Sequence, residues 1–152
     1  QRQLLSAFSY ARMFEWQNSI NQLQSIKQDS YRGKIKSIIR SLNNYPNLPK
    51  RSPLLAGVFS AVLPGAGYFY SNRKATAVAS FLVNGLFIWA TRDAIVNEQY
   101  GLAAATGFLG TGWYIGNIAG SVDAAKAYNS RMRYKFIDRL LQETGFPEYQ
   151  GQ

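Results

Sequence analysis

Two stretches without a charged side chain constrain this chain more than anything else in it: Ala75–Thr91, ATAVASFLVNGLFIWAT, and Gly101–Ser121, GLAAATGFLGTGWYIGNIAGS. Each approaches the ~20 apolar residues that an α-helix needs to cross ~30 Å of hydrocarbon. Charge is confined to their ends. Arg73 and Lys74 precede the first segment, Arg92 and Asp93 close it, and Asp123 follows the second. The short connector RDAIVNEQY suits a helical hairpin. The alternative is a pair of buried helices in a soluble domain. That is the lesser reading, because a chain of 152 residues has little protein left to cover them.

Both segments are rich in small residues. Gly112, Gly116 and Gly120 repeat at four-residue steps, a pattern that lets helix backbones approach, here towards Ala75–Thr91 or a partner helix. Asn84 and Asn117 lie inside the apolar stretches. Lipid would leave each poorly satisfied, so both are expected to face the helix bundle. Trp89, Trp113 and Tyr114 are expected to mark interface levels.

The preceding stretch, Pro53–Asn72, interrupts apolar sequence with strong breakers. Leu54–Leu63 is apolar but only about ten residues long, which reaches roughly half the hydrocarbon core. Pro64, Gly65 and Gly67 then break or bend it, Tyr68, Phe69 and Tyr70 follow, and Ser71–Lys74 return to water. The preferred reading is a half-helix that turns back to its own surface. The competing reading is one kinked span from Pro53 to Tyr70. In either case Pro64-Gly65-Ala66-Gly67 is a structural turn, with the Tyr68 and Tyr70 hydroxyls expected near lipid headgroups.

The segment LLAGVFSAVLPGAGYFYSNRKATAVASFLVNGLFIWA resembles small bacterial membrane domains built on a PG-x-G-x-FY turn between apolar segments, including the two-transmembrane-helix domain family. GWYIGNIAGSVDAAKAYN, Gly112–Asn129, resembles the third part of such domains where they follow tetratricopeptide repeats in bacterial envelope proteins. The resemblance covers about residues 53–129 and implies architecture more than function. Some relatives are associated with membrane-protein insertion factors, whose cysteine-bearing signature is absent here, so that role is not carried over.

The flanks differ from this middle. More than half of the 17 Lys and Arg precede Pro53, against only Glu15 and Asp29. Apolar residues at three- and four-residue steps predict a helix or helical pair over residues 3–26 and a second amphipathic helix over Tyr31–Leu42. YARMFEWQNSINQLQSI is similar to one degenerate tetratricopeptide repeat, with Tyr10, Ala11, Phe14, Trp16 and Ile20 as packing residues; an ordinary helical hairpin accounts for it equally well. Asn and three prolines in NNYPNLPKRSP predict a stiff connector. Beyond the apolar region, Val122–Leu141 reads as an amphipathic helix ended by Gly145 and Pro147. The expected organisation is a helical flank (1–45), a connector (46–52), a membrane domain (53–121), an amphipathic helix (122–145) and a tail (146–152). QRQLLSAFSYAR has no cleavable-signal pattern. The chain therefore reads as processed, or as the ordered part of a longer protein.

The chain contains no Cys and no His, which removes thiolate, disulfide, zinc-cluster and imidazole chemistry. No phosphate-binding loop or HExxH helix occurs, and no ionisable residue lies within the charge-free segments. The sequence thus predicts an all-α membrane protein without a catalytic residue, metal or cofactor. It is expected in the bacterial cytoplasmic membrane as a multi-pass anchor and scaffold subunit of an envelope complex. Its expected partners are other membrane or envelope proteins and anionic lipid headgroups, with nucleic acid disfavoured. The alternative is an accessory factor for membrane-protein insertion or lipid handling. The cation-rich flanks predict a cytoplasmic location for both.

Overall fold

The structure, a computed structural model, describes residues 2–26 and 32–144. It is all-helical, with no strand among the described residues. Seven α-helices follow in order: α1 (Arg2–Arg12), α2 (Trp16–Gln24), α3 (Arg32–Asn43), α4 (Pro53–Val62), α5 (Ala66–Tyr70), α6 (Lys74–Val96) and α7 (Tyr100–Thr144). The chain divides into two compact units. A flanking unit joins residues 1–49 to the chain from Arg131 onward, and an apolar unit comprises Lys50–Ser130.

In the flanking unit, the stretch over residues 3–26 that reads as a helix or a helical pair is the pair α1 and α2. They separate at Phe14, whose φ of 63° is left-handed. There the Glu15 N–H reaches back to the Tyr10 carbonyl at 2.9 Å and the Phe14 N–H to that of Ala11, closing α1 with a Schellman-like turn that lacks glycine. Leu4, Ala7, Ile20, Leu23, Ile35, Ile38, Leu42 and Leu140 form a buried core. Trp16 stacks close to Tyr45, with 4.1 Å between ring centroids, and meets Phe136 edge-on at 5.9 Å. The repeat-like stretch YARMFEWQNSINQLQSI takes in the end of α1 and all of α2, and α3 is the helix that follows it. The expected tail at 146–152 and the break around Lys27–Tyr31 lie outside the described residues.

The apolar unit begins with a well-specified helix start. The Ser52 side chain accepts a hydrogen bond from the Leu55 N–H at 3.3 Å, and Pro53 occupies the first helical position, where its missing N–H costs nothing. The helix α4 stops after ten residues because Leu63 precedes proline, a position pushed out of the helical region. Leu63 is extended, with φ −137° and ψ 113°. Gly65 follows with φ 91°, and α5 starts immediately after it. The segment Pro53–Tyr70 is therefore not one continuous helix: it is broken at Leu63–Gly65, as both readings of the turn expect.

The helices α6 and α7 run antiparallel. Ser80 meets Asn117, Phe87 lies against Gly110, and Thr91 bonds Thr106 at 3.0 Å. Among the described residues, one helix, α6, is long and apolar enough to cross a membrane. Its 23 residues span about 35 Å. Gly101–Ser121 lies in α7, where Gly, Thr and Asn117 dilute the apolar residues. The helix expected to begin at Val122 has no separate start. The 45 residues of α7 are continuous, and the compact apolar unit extends to Ser130 rather than Ser121. No proline or helix-breaking turn occurs between Ser121 and Thr144.

Candidate functional site

The residues singled out from the sequence converge on the core of the apolar unit. Its side chains are small or polar. Ala56, Ser60 and Ser71 have no exposed surface, nor do Ser121 and Ala125, and Ala124 is almost fully buried. Its large apolar side chains point outward instead: Leu54, Val62 and Phe108 are each at least 75% exposed, and Ile88 and Trp89 are exposed as well. This inverts the ordinary soluble pattern, in which large aliphatic and aromatic groups fill the interior.

The turn sets this geometry through two glycines that act differently. Gly65 supplies the left-handed conformation, and its Cα also lies against the backbone of Ala77, so that an added Cβ would strike the Ala77 carbonyl. Gly67 is helical and needs no special φ. Its role is close approach: a Cβ there would collide with the Ala56 carbonyl oxygen, and would stand 2.7 Å from Ser60 Oγ and 2.8 Å from Ser121 Cβ. The Gly67 N–H donates to Ser60 Oγ at 3.1 Å, while the Ser121 hydroxyl donates to the Ala56 carbonyl at 3.1 Å. Three backbone segments thus meet where only glycine fits. Pro64 is half-buried beside them.

The chain that leaves at Ser52 returns at Tyr70. The Ser52 N–H donates to the Tyr70 hydroxyl at 3.1 Å, and Phe59 meets the Tyr70 ring edge-on at 5.2 Å. Arg51 lies over the Tyr70 ring at 4.8 Å and the Tyr128 ring at 5.5 Å, and exchanges two hydrogen bonds with the Asn129 side chain, of 2.7 and 2.8 Å. These groups form a cationic and aromatic collar at one end of the unit, near Arg73 and Lys74. The opposite end carries Arg92, Asp93 and Glu98.

Tyr68 departs from expectation. Its hydroxyl lies inside the bundle against Gly120, and the side chain is buried with Ala77 and Ala124. The five-residue α5 turns Gly67 and Tyr68 inward, with Ser71 buried just after it, and Phe69 outward, so Phe69 is the exposed aromatic of the trio. Tyr114 also differs from the expected interface marker. Its hydroxyl donates to the Ala61 carbonyl at 2.6 Å, satisfying one of the carbonyls left open where α4 ends.

Asn84 and Asn117 are both buried between α6 and α7. The Ser80 hydroxyl donates to Asn117 Oδ1 at 3.0 Å, and Asn84 Nδ2 donates to the Ser80 carbonyl at 2.6 Å. The glycine repeat separates into two parts. Gly120 faces Tyr68, whereas a Cβ on Gly112 or Gly116 would meet nothing within 4 Å. Four-residue steps drift by about 40° each around a helix, so the three glycines do not share one contact. The close approach in α7 that the repeat missed is Gly110 against Phe87; Gly107 makes an ordinary contact with Thr91.

Among the described residues no group of His, Cys, Asp or Glu is arranged to hold a metal. Asp123 and Lys126 form an exposed pair at 3.1 Å on one helix face. No protein-family model, curated protein or solved structure matches the chain.

Proposed function

We propose that the apolar unit is embedded in a bacterial cytoplasmic membrane, and that the protein is a non-catalytic anchor and scaffold subunit of an envelope complex. The observation that carries this reading is the inverted packing: large apolar side chains on the outside of α4, α6 and α7, small and polar ones within. Lipid is as apolar as leucine, so a membrane bundle gains by close backbone packing and by turning its polar groups inward. The reading takes α6 and the adjoining part of α7 as a transmembrane pair. It takes α4 and α5 as a re-entrant element, supported by the return of Tyr70 to Ser52. The collar of Arg51, Arg73 and Lys74 then lies at the cytoplasmic surface, in keeping with the bias of cations to that side and in contact with anionic headgroups.

The scaffold reading rests on the core-bearing flanking unit, with its many exposed cations, and on the outward face at Gly112 and Gly116, which is open to a partner helix. Two measurements test it. Alkaline carbonate extraction should leave the chain in the membrane pellet, and release into the soluble fraction contradicts the membrane placement. Gentle detergent extraction followed by affinity capture and mass spectrometry should yield a stoichiometric membrane or envelope protein. Bound lipid without any protein partner would instead favour the accessory role in insertion or lipid handling.

A further inference from the structure

Where α4 ends, it leaves part of the α6–α7 seam uncovered. The bond from Tyr114 to the Ala61 carbonyl marks the limit of α4. Beyond it a groove of ≈ 510 Å³ runs from Asn84 and Tyr114 to Arg92 and Val96. That volume lies within the usual 300–1,000 Å³ of ligand sites. The stretch of α6 from Asn84 to Arg92 is about 12 Å long, most of one leaflet of a ~30 Å hydrocarbon core. Phe87 and Ile88 form one wall, and Gly107, Gly110 and Thr111 the other. The floor is low because glycines stand on α7, and Phe87 packs directly over Gly110.

Charge orders this groove. Arg92 is its one ionic residue, at the end away from Tyr114; Asp93, next in sequence, does not line it. No ion pair joins Arg92 to a described carboxylate. A polar end at Asn84 and Tyr114, apolar walls and a guanidinium about 12 Å further along α6 complement a molecule with an apolar chain and an anionic head.

We infer that this groove binds one acyl chain of an anionic phospholipid, whose phosphate is held by Arg92. A guanidinium matches phosphate oxygens in a forked geometry. A zwitterionic head carries its own cation to the same place, so Arg92 selects for net negative charge. The inference rests on the membrane placement proposed above and deepens it by assigning a specific lipid site.

Native mass spectrometry of the full chain tests it, after delipidation and addition of phosphatidylglycerol or phosphatidylcholine in equal amounts. Wild type should retain one phosphatidylglycerol in preference to phosphatidylcholine. Ile88→Trp and Thr111→Trp, which fill the groove from opposite walls, should each reduce retention about tenfold, equivalent to about 1.4 kcal/mol. Leu109→Trp, equal in added bulk but outside the groove, should bind as wild type does. Arg92→Gln should keep a bound lipid but lose the preference between headgroups. Several results overturn the site: no lipid retained by wild type, undiminished binding in both groove-filling variants, or a second copy of the chain covering the groove. Carbonate extraction separates the two claims. A chain that stays in the pellet yet retains no lipid refutes the groove alone, whereas a released chain refutes the membrane placement.

Discussion

Replacing Gly67 with alanine adds one methyl group at the most crowded point of the apolar unit. That methyl meets the Ala56 carbonyl oxygen, Ser60 Oγ at 2.7 Å and Ser121 Cβ at 2.8 Å, on neighbours drawn from both α4 and α7. None of the three is the far end of a flexible side chain, so relief requires α5 to move away from α4. Overpacking of this kind costs about 1–3 kcal/mol, and the backbone oxygen sets this case at the upper end. The same displacement stretches the bond from the Gly67 N–H to Ser60 and that from Ser121 to Ala56, each contributing about 0.5–1.5 kcal/mol. A loss of about 3 kcal/mol or more follows, which is over a hundredfold in the folding equilibrium. The matched control is Gly116→Ala, where nothing lies within 4 Å. There the change gains about 0.5–1 kcal/mol of helix preference. Thermal unfolding in detergent, followed by circular dichroism, should place Gly67→Ala well below wild type and Gly116→Ala at or above it. Equal melting of the two variants would refute the claim that the turn is held by backbone contact at Gly67.

Asn117→Ala should remove the hydrogen bond from Ser80 and destabilise the α6–α7 pair by about 0.6 kcal/mol, the mean for polar contacts between membrane helices, and by no more than about 1.7 kcal/mol; melting of the detergent-solubilised protein reads it. Leu23→Ala, in the core of the flanking unit, should cost about 2–5 kcal/mol in that unit, seen as faster proteolysis there while carbonate extraction stays unchanged. Cysteines at Asn43 and Lys126, which stand before and after the apolar unit's helices, should react with an impermeant thiol reagent from the same face of sealed vesicles, and one at Asn97 from the other; labelling of Asn43 and Lys126 from opposite faces would contradict the re-entrant path.

Helix breaks were legible where the chain marks them with Pro and Gly, and less so elsewhere. Pro64 and Gly65 announce the end of α4 because each restricts or frees the backbone locally. The ends of α1 and α6 instead use Phe14 and Glu98 in the left-handed region, residues that seldom signal it, whereas Asn72 after α5 is a commoner choice; the division between α1 and α2 therefore remained open in the sequence. Asn84 and Asn117 were readable as inward-facing because the cost of exposing an amide to an apolar surrounding does not depend on the details of packing. The partners of Gly67, Tyr68 and Gly120 were not readable. Which backbone approaches which glycine depends on how α5 folds onto α4 and α7, and a five-residue helix has too little sequence to declare its buried side. The same holds for Gly112 and Gly116: spacing identifies small residues along a helix but not the neighbour, or the open surface, they face.

Spin-label depth at Val62 tests the account most directly. Val62 is the last residue of α4, is 80% exposed, and sits about 15 Å of helix away from the Ser52–Tyr70 collar. In lipid vesicles, a label at position 62 should be accessible to oxygen and shielded from a water-soluble nickel relaxant, with a depth near the bilayer centre. A label at Lys126 should show the reverse. Ready access of the nickel reagent to position 62 would contradict a half-helix buried in the membrane, and with it the reading of the inverted core as a lipid-facing bundle.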